Sequence, residues 1–184
     1  MNEEANDVTT TRRLIVALTI TGLASAGARQ TVAAVSQRSM PRVRSSNPPI
    51  AALIARTPEQ SATFRGLIDA INTSDGIVYV EVGECGHDVT ACLVGVTTAG
   101  AFRMLWIKVD STKSECDLIA SISHELQHAV EVLHDSDARS GAEMFLYYLR
   151  NARRGSGPNV AFETTAAIDA GIAVRSELRS CQTR

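Results

Sequence analysis

The sequence predicts an α+β fold, and three observations carry that prediction. A helical pattern lies upstream of residue 72, three short β-branched runs fall between residues 77 and 109, and helical periodicity fills most of the chain from residue 114 onward. Runs of strand and helix kept apart, rather than alternating regularly, point to α+β. The 184 residues suit one domain, and 45% apolar content is enough for a real core.

The chain opens on what reads as an export signal at residues 1–28. Arg12 and Arg13 form a basic start, Leu14 to Leu23 is mostly apolar, and Ala24-Ser25-Ala26-Gly27-Ala28 offers small residues for cleavage after Ala26 or Ala28. The apolar run is shorter than the ~20 residues a bilayer span needs. Net charge is −2, from 18 basic and 20 acidic residues, and the chain after residue 28 keeps 16 and 17. Such a balance gives no footprint for nucleic acid or anionic membrane. The expected product is a soluble domain, secreted or periplasmic in a bacterial cell envelope, with no stable membrane span after cleavage. Its oligomeric state is left open.

Residues 29–49 carry Pro41, Pro48 and Pro49 without periodicity, and read as a linker or short pro-segment ahead of a folded domain at 50–184. Thr57-Pro58-Glu59-Gln60 has the form of a helix start. That helix runs to about Asn72, with Phe64, Leu67, Ile68 and Ile71 on one face. Ser74-Asp75-Gly76 is a turn. Ile77–Val82, Cys92–Val96 and Phe102–Val109 read as strands. Their short connections predict a three-stranded antiparallel meander, covered on one face by helices. Helices follow from Ser114 to about Leu133, from about Asp137 to Asn151, and from about Ala161 to Arg179.

Cys85, Cys92, Cys116 and Cys181 are even in number and lie after the export signal, which favours two disulfides. Three connectivities are open; a local Cys85–Cys92 loop with Cys116–Cys181 tying two helices is the expected one. None of the spacings is C-x-x-C, so a cysteine zinc site is set aside.

His124-Glu125-Leu126-Gln127-His128 is an H-E-x-x-H stretch. Two His one helical turn apart face the same way and can meet one ion, and Glu125 emerges beside them. Zinc lowers the pKa of a bound water to ~7, and Glu125 would accept its proton and pass it to a leaving amine. Leu118, Ile119, Ile122, Leu126, Ala129, Val130 and Leu133 form one apolar arc, separate from the sector of His124, Glu125 and His128. The helix thus has a core face and a ligand face.

A catalytic zinc site needs a third protein ligand. His134 has the spacing of H-E-x-x-H-x-x-G-x-x-H, but Glu131 replaces the glycine that would turn the chain back. On a continuing helix His134 points about 120° away from His128. Glu163, at the expected start of the last helix and followed by small residues that allow close packing, is the preferred third ligand. Tyr147, Tyr148 and His87 are candidates for stabilising an oxyanion.

The His124–His128 stretch followed by Glu163 resembles the gluzincin branch of zinc peptidases, and in particular its minimal members. Ser123–Ala129, with Glu163-Thr164-Thr165-Ala166-Ala167 downstream, is also similar to a group of short exported bacterial proteins. The matching stretches cover about a third of the chain after residue 28. The resemblance implies a small zincin-like domain with Zn2+ on His124, His128 and Glu163, and Glu125 as general base. It further implies that Phe102–Val109 is an edge strand pairing with a peptide or protein substrate. One departure is plain. Many gluzincins carry an Asp one turn after the ligand Glu, to support a ligand His; here that place is Ala167, and the nearest acid is Asp169. Two rival expectations follow: an exported binding domain on a degenerate zincin scaffold with a structural metal or none, and a disulfide-stapled domain with a fortuitous motif.

Overall fold

Asn47 opens the first helix of the domain. Its side chain accepts the amide of Ile50, and Pro48 and Pro49, which need no amide partner, fill the first helical positions of α1 (Pro48–Gln60). The computed structural model describes residues 40–86, 89–154 and 162–181. The expected export signal of residues 1–28 and the candidate His87 lie outside the described residues. So does most of the 29–49 segment, but its last part is structured: β1 (Val43–Arg44) precedes α1.

The helix start expected at Thr57-Pro58 lies inside α1 instead. Thr57 is buried and its hydroxyl bonds back to the Leu53 carbonyl at 2.7 Å, so it cannot cap the following turn. Ser61 does that work. It is extended (φ −133°), its amide closes α1 on the Thr57 carbonyl, and its hydroxyl accepts the Phe64 amide at 2.9 Å to open α2 (Ala62–Thr73). Pro58 is tolerated because it falls in the last turn of α1, where only one helical bond is forgone.

Three further strands follow: β2 (Gly76–Val82), β3 (Ala91–Ala99) and β4 (Phe102–Val109). The sheet order is β1-β2-β4-β3, with β2 parallel to both β1 and β4, and β3 antiparallel to β4. The expected antiparallel meander is therefore corrected to a mixed sheet, and Phe102–Val109 is central rather than an edge. The edge is β3. Val82 and Ala91 both pair with Val109, one on each side, so the β2–β3 connection passes over the end of β4. Two strand spacings, about 10 Å, lie well within the reach of such a loop. Gly100, at φ +60°, holds the first position of the two-residue loop joining β3 to β4, where a left-handed conformation favours glycine.

Alternate residues of β2 and β4 (Val78, Val80, Leu105, Ile107, Val109) are fully buried against Phe64 and Ile71 of α2 and Ile119, Ile122 and Leu126 of α3 (Glu115–His134). Ser114 caps α3 by accepting the Asp117 amide. Its other end is held by Arg103 of β4, 3% exposed, which donates to the carbonyls of Val132, Leu133 and Asp135 and forms an ion pair with Asp75 at 2.7 Å. After α4 (Gly141–Asn151) come β5 (Arg153–Arg154) and β6 (Phe162–Glu163), an antiparallel pair, then α5 (Thr165–Glu177) and a 3-10 turn at Arg179–Cys181.

α5 lies close against α3. A methyl group added at Gly171 would stand 3.1 Å from the Ala120 carbonyl oxygen and 3.6 Å from His124 Cβ, so glycine is what lets the helices approach there. Glu177, at the end of α5, accepts from the Thr63 amide at 3.1 Å and from the Ser61 and Thr63 hydroxyls, which fastens α5 to the start of α2. The disulfides are Cys85–Cys92 and Cys116–Cys181. Among the described residues no helix is long and apolar enough to cross a membrane.

Candidate metal centre

α3 is uncharged and unbroken from Leu118 to Gln127 apart from Glu125, and its apolar arc is sunk in the core. That anchoring fixes the direction of the opposite sector. His124 and His128 project from it one turn apart, with ring centroids 4.8 Å apart and planes at 79°. Glu163 arrives from β6. Donor atoms of His124, His128 and Glu163 lie within 4.8 Å of one another.

Glu163 was expected at the start of a helix, and this is corrected. It stands in an extended pair just before the cap of α5, because Thr164 takes the cap position and accepts the Ala167 amide at 3.1 Å. His134, the alternative third ligand, is exposed at the far end of α3 and lies outside the group.

The donor set fits a divalent cation of the zinc type. Glu163 Oε2 is closed off from solvent and receives no hydrogen bond, yet His124 Nε2 lies 3.0 Å away. A carboxylate oxygen this close to an imidazole nitrogen is an arrangement that a shared cation, a proton or a metal ion, can bridge. Proximity to His124 holds the Glu163 carboxyl below its usual range. Burial opposes protonation of His124, but Glu163 and Glu125 outweigh it and its pKa is raised.

Sequence reasoning missed Glu131. Its Oε2 lies 3.0 Å from His128 Nδ1, and its Oε1 accepts the Thr164 hydroxyl at 2.7 Å. Burial alone would raise its carboxyl, but the bonds from His128 and Thr164 prevail and lower it. A carboxylate only accepts, so Nδ1 carries the proton, and it is Nε2 that the neutral ring offers to a metal. This is the support that metal-bound histidines commonly have, supplied here from the same helix. Its position three residues after His128 was the available signal. The place in the sequence where an Asp was sought, Ala167, is buried and apolar.

Glu125 is 8% exposed. Burial pushes its carboxyl up, and the two imidazoles pull it back only in part. Its Oε2 accepts the amide of Leu93 at 2.7 Å, which ties it to the edge strand β3. Leu93 pairs with Ile107 and Gly95 with Trp106, so Val94 is an extra, bulged residue beside the site. Of the oxyanion candidates, Tyr148 spends its hydroxyl on the His128 carbonyl at 3.1 Å and sets its ring edge-on to His128. Tyr147 packs edge-on against Tyr148.

The centre lies between two concavities. An open groove of about 720 Å³ runs along Thr90, His124, Ile168 and Ile172, and a smaller cavity of about 250 Å³ opens beside His128, Tyr148 and Phe162. Glu125 and Glu163 border both. A small α+β domain thus presents a His124/His128/Glu163 cluster consistent with a zincin-like metal site. No protein-family model, curated protein or solved structure matches the chain.

Proposed function

We propose that this chain is an exported zinc-dependent peptidase. The observation that carries the reading is the convergence of His124, His128 and the unsatisfied Glu163 carboxylate beside a buried Glu125, between two concavities. The donor set, two imidazoles and one carboxylate, leaves room for a fourth position, as catalytic zinc sites do. When bound, the ion supplies Lewis acidity, which makes a water acidic enough to ionise near neutral pH and polarises a carbonyl.

The chain's own residues supply the rest. Glu131 holds His128 in the tautomer that offers Nε2. Glu125, with one oxygen occupied by the Leu93 amide, uses the other to accept the proton of the attacking water and passes it to the departing amine nitrogen. The water oxygen stays on the acyl carbon as the C–N bond breaks. Along β3 the backbone of Cys92 turns toward β4, so by alternation the polar groups of Ala91 and the carbonyl of Leu93 face the free edge, the Leu93 amide being taken by Glu125. An extended peptide can pair there. Export follows from the reading of residues 1–28.

The test is zinc content by elemental analysis, joined to cleavage of an unfolded protein such as reduced casein. The parent should hold about one zinc per chain and cleave. Glu163→Ala should lose most of the zinc. Zinc-free, folded parent protein would sink the reading.

A further inference from the structure

We propose that the small cavity beside the centre selects an apolar side chain on the residue that donates the scissile carbonyl; this rests on the peptidase reading above. The cavity, about 250 Å³, is walled by Leu93, Met144, Phe145, Tyr148, Phe162 and the Cys85–Cys92 disulfide. Among the described residues, its charged and imidazole lining is Glu125, His128 and Glu163, the centre itself. Among the described residues, the lining side chains beyond the reacting groups are hydrocarbon, aromatic or sulfur, apart from the Tyr148 hydroxyl, which is spent on the His128 carbonyl. The aromatic wall is braced: Phe145 meets Phe162 edge-on at 5.4 Å, and Tyr148 stacks on Phe162 at 5.8 Å. Phe145 nonetheless stays 48% exposed, a large apolar surface left facing solvent at the mouth of a polar centre. Such a cup holds one side chain the size of Leu, Met or Phe and, among the described residues, offers no cation to an acidic one.

The side of the bond follows from strand direction. Val89 and Ala91 line both spaces, Thr90 only the open groove, and Cys92 and Leu93 only the cup, so β3 starts where the two spaces meet and runs into the cup. A peptide pairing antiparallel to β3, the better-paired arrangement, runs from cup to groove. Its acyl-side residue then lies over the cup and its amine-side residues over the groove. The carboxylates Glu125, Glu131 and Glu163 around the centre add repulsion against an acidic residue at that position.

The experiment incubates the zinc-loaded chain, residues 29–184, with a mixture of randomised peptides and reads the cleavage products by mass spectrometry. Leu, Met or Phe on the acyl side should be favoured over Gly or Asp by about a hundredfold in kcat/KM, the scale that filling an apolar pocket gives. In Phe145→Asp, whose altered side chain is already half in solvent, the preference should fall by about tenfold at unchanged zinc content and unchanged circular dichroism. Cleavage with no acyl-side preference, with the preference on the amine side, or with a profile that Phe145→Asp leaves intact would overturn the inference while keeping the peptidase. A folded chain that holds zinc and cleaves nothing would overturn the peptidase reading itself, and the inference with it.

Discussion

Glu125 stands between opposing influences, since burial favours its neutral form and two imidazoles favour its charge. The Leu93 amide settles its orientation. Glu125→Gln keeps the shape and the bond from Leu93 but accepts no proton. It should retain zinc and lose about 10²–10⁴-fold in kcat, read by elemental analysis beside peptide cleavage. Glu131 makes a different prediction because it touches the centre only through His128. Glu131→Ala should weaken zinc affinity by about 10–100-fold, measured by competition with a chelating dye. Thr164→Val, which removes the bond Glu131 accepts from beyond α3, should weaken it less. The motif itself was legible because helical geometry alone brings positions 124 and 128 together. Glu131 was not, because a Glu three residues after a His is common on any solvated helix. Its role shows only once the helix is sunk so deep that both side chains are shielded.

At the scale of elements, the helix carrying the motif is fixed at both ends by side chains from elsewhere. Arg103 gathers the last carbonyls of α3 and pairs with Asp75, whose carboxyl is held below its usual range chiefly by that guanidinium. A depressed carboxyl contributes stability that is complete above the unfolded pKa, ~3.9, and is lost as pH falls through the lower folded value. Asp75→Asn should therefore be less stable than the parent at about pH 6 and converge with it at about pH 2. The gap should be about 1 kcal/mol, since the one-third exposed carboxylate is partly screened, and denaturant midpoints across that range would measure it. The tight contact of α5 on α3 gives a second prediction. Gly171→Val should cost about 1–3 kcal/mol by overpacking and disturb His124, whose Cβ is 3.6 Å from the would-be side chain. Thermal unfolding with and without zinc would separate the two effects. Helix ends were read with mixed success. The Ser114 start was plain in the sequence, but Thr57-Pro58 has the form of a cap and lies mid-helix, because Ser61 offers the same hydroxyl where the backbone is already extended.

Across the whole molecule, the α+β class was legible from the segregation of periodicities, and the strand order was not. An eight-residue connection serves equally for a hairpin and for a step across one strand, and apolar alternation records which face is buried, never which neighbour is paired. The error placed β4 at an edge of the sheet that β3 occupies. The disulfides act at this scale too. Cys116–Cys181 joins the start of α3 to the end of the chain's last turn. On the chain-entropy account it should contribute about 4 kcal/mol and Cys85–Cys92 about 2.5 kcal/mol. Paired Cys→Ala replacements in each bridge, followed by denaturant unfolding, should rank in that order.

The three donors come from two places in the chain, α3 and the stretch just before α5, with all of α4 between them. An ion held by all three is therefore a reversible crosslink, closing a loop that the unfolded chain leaves open. Folding and metal uptake are then one linked equilibrium. Above saturation each tenfold rise in free zinc should add about 1.4 kcal/mol to stability, so the lifetime of the folded domain would follow the zinc level of its surroundings.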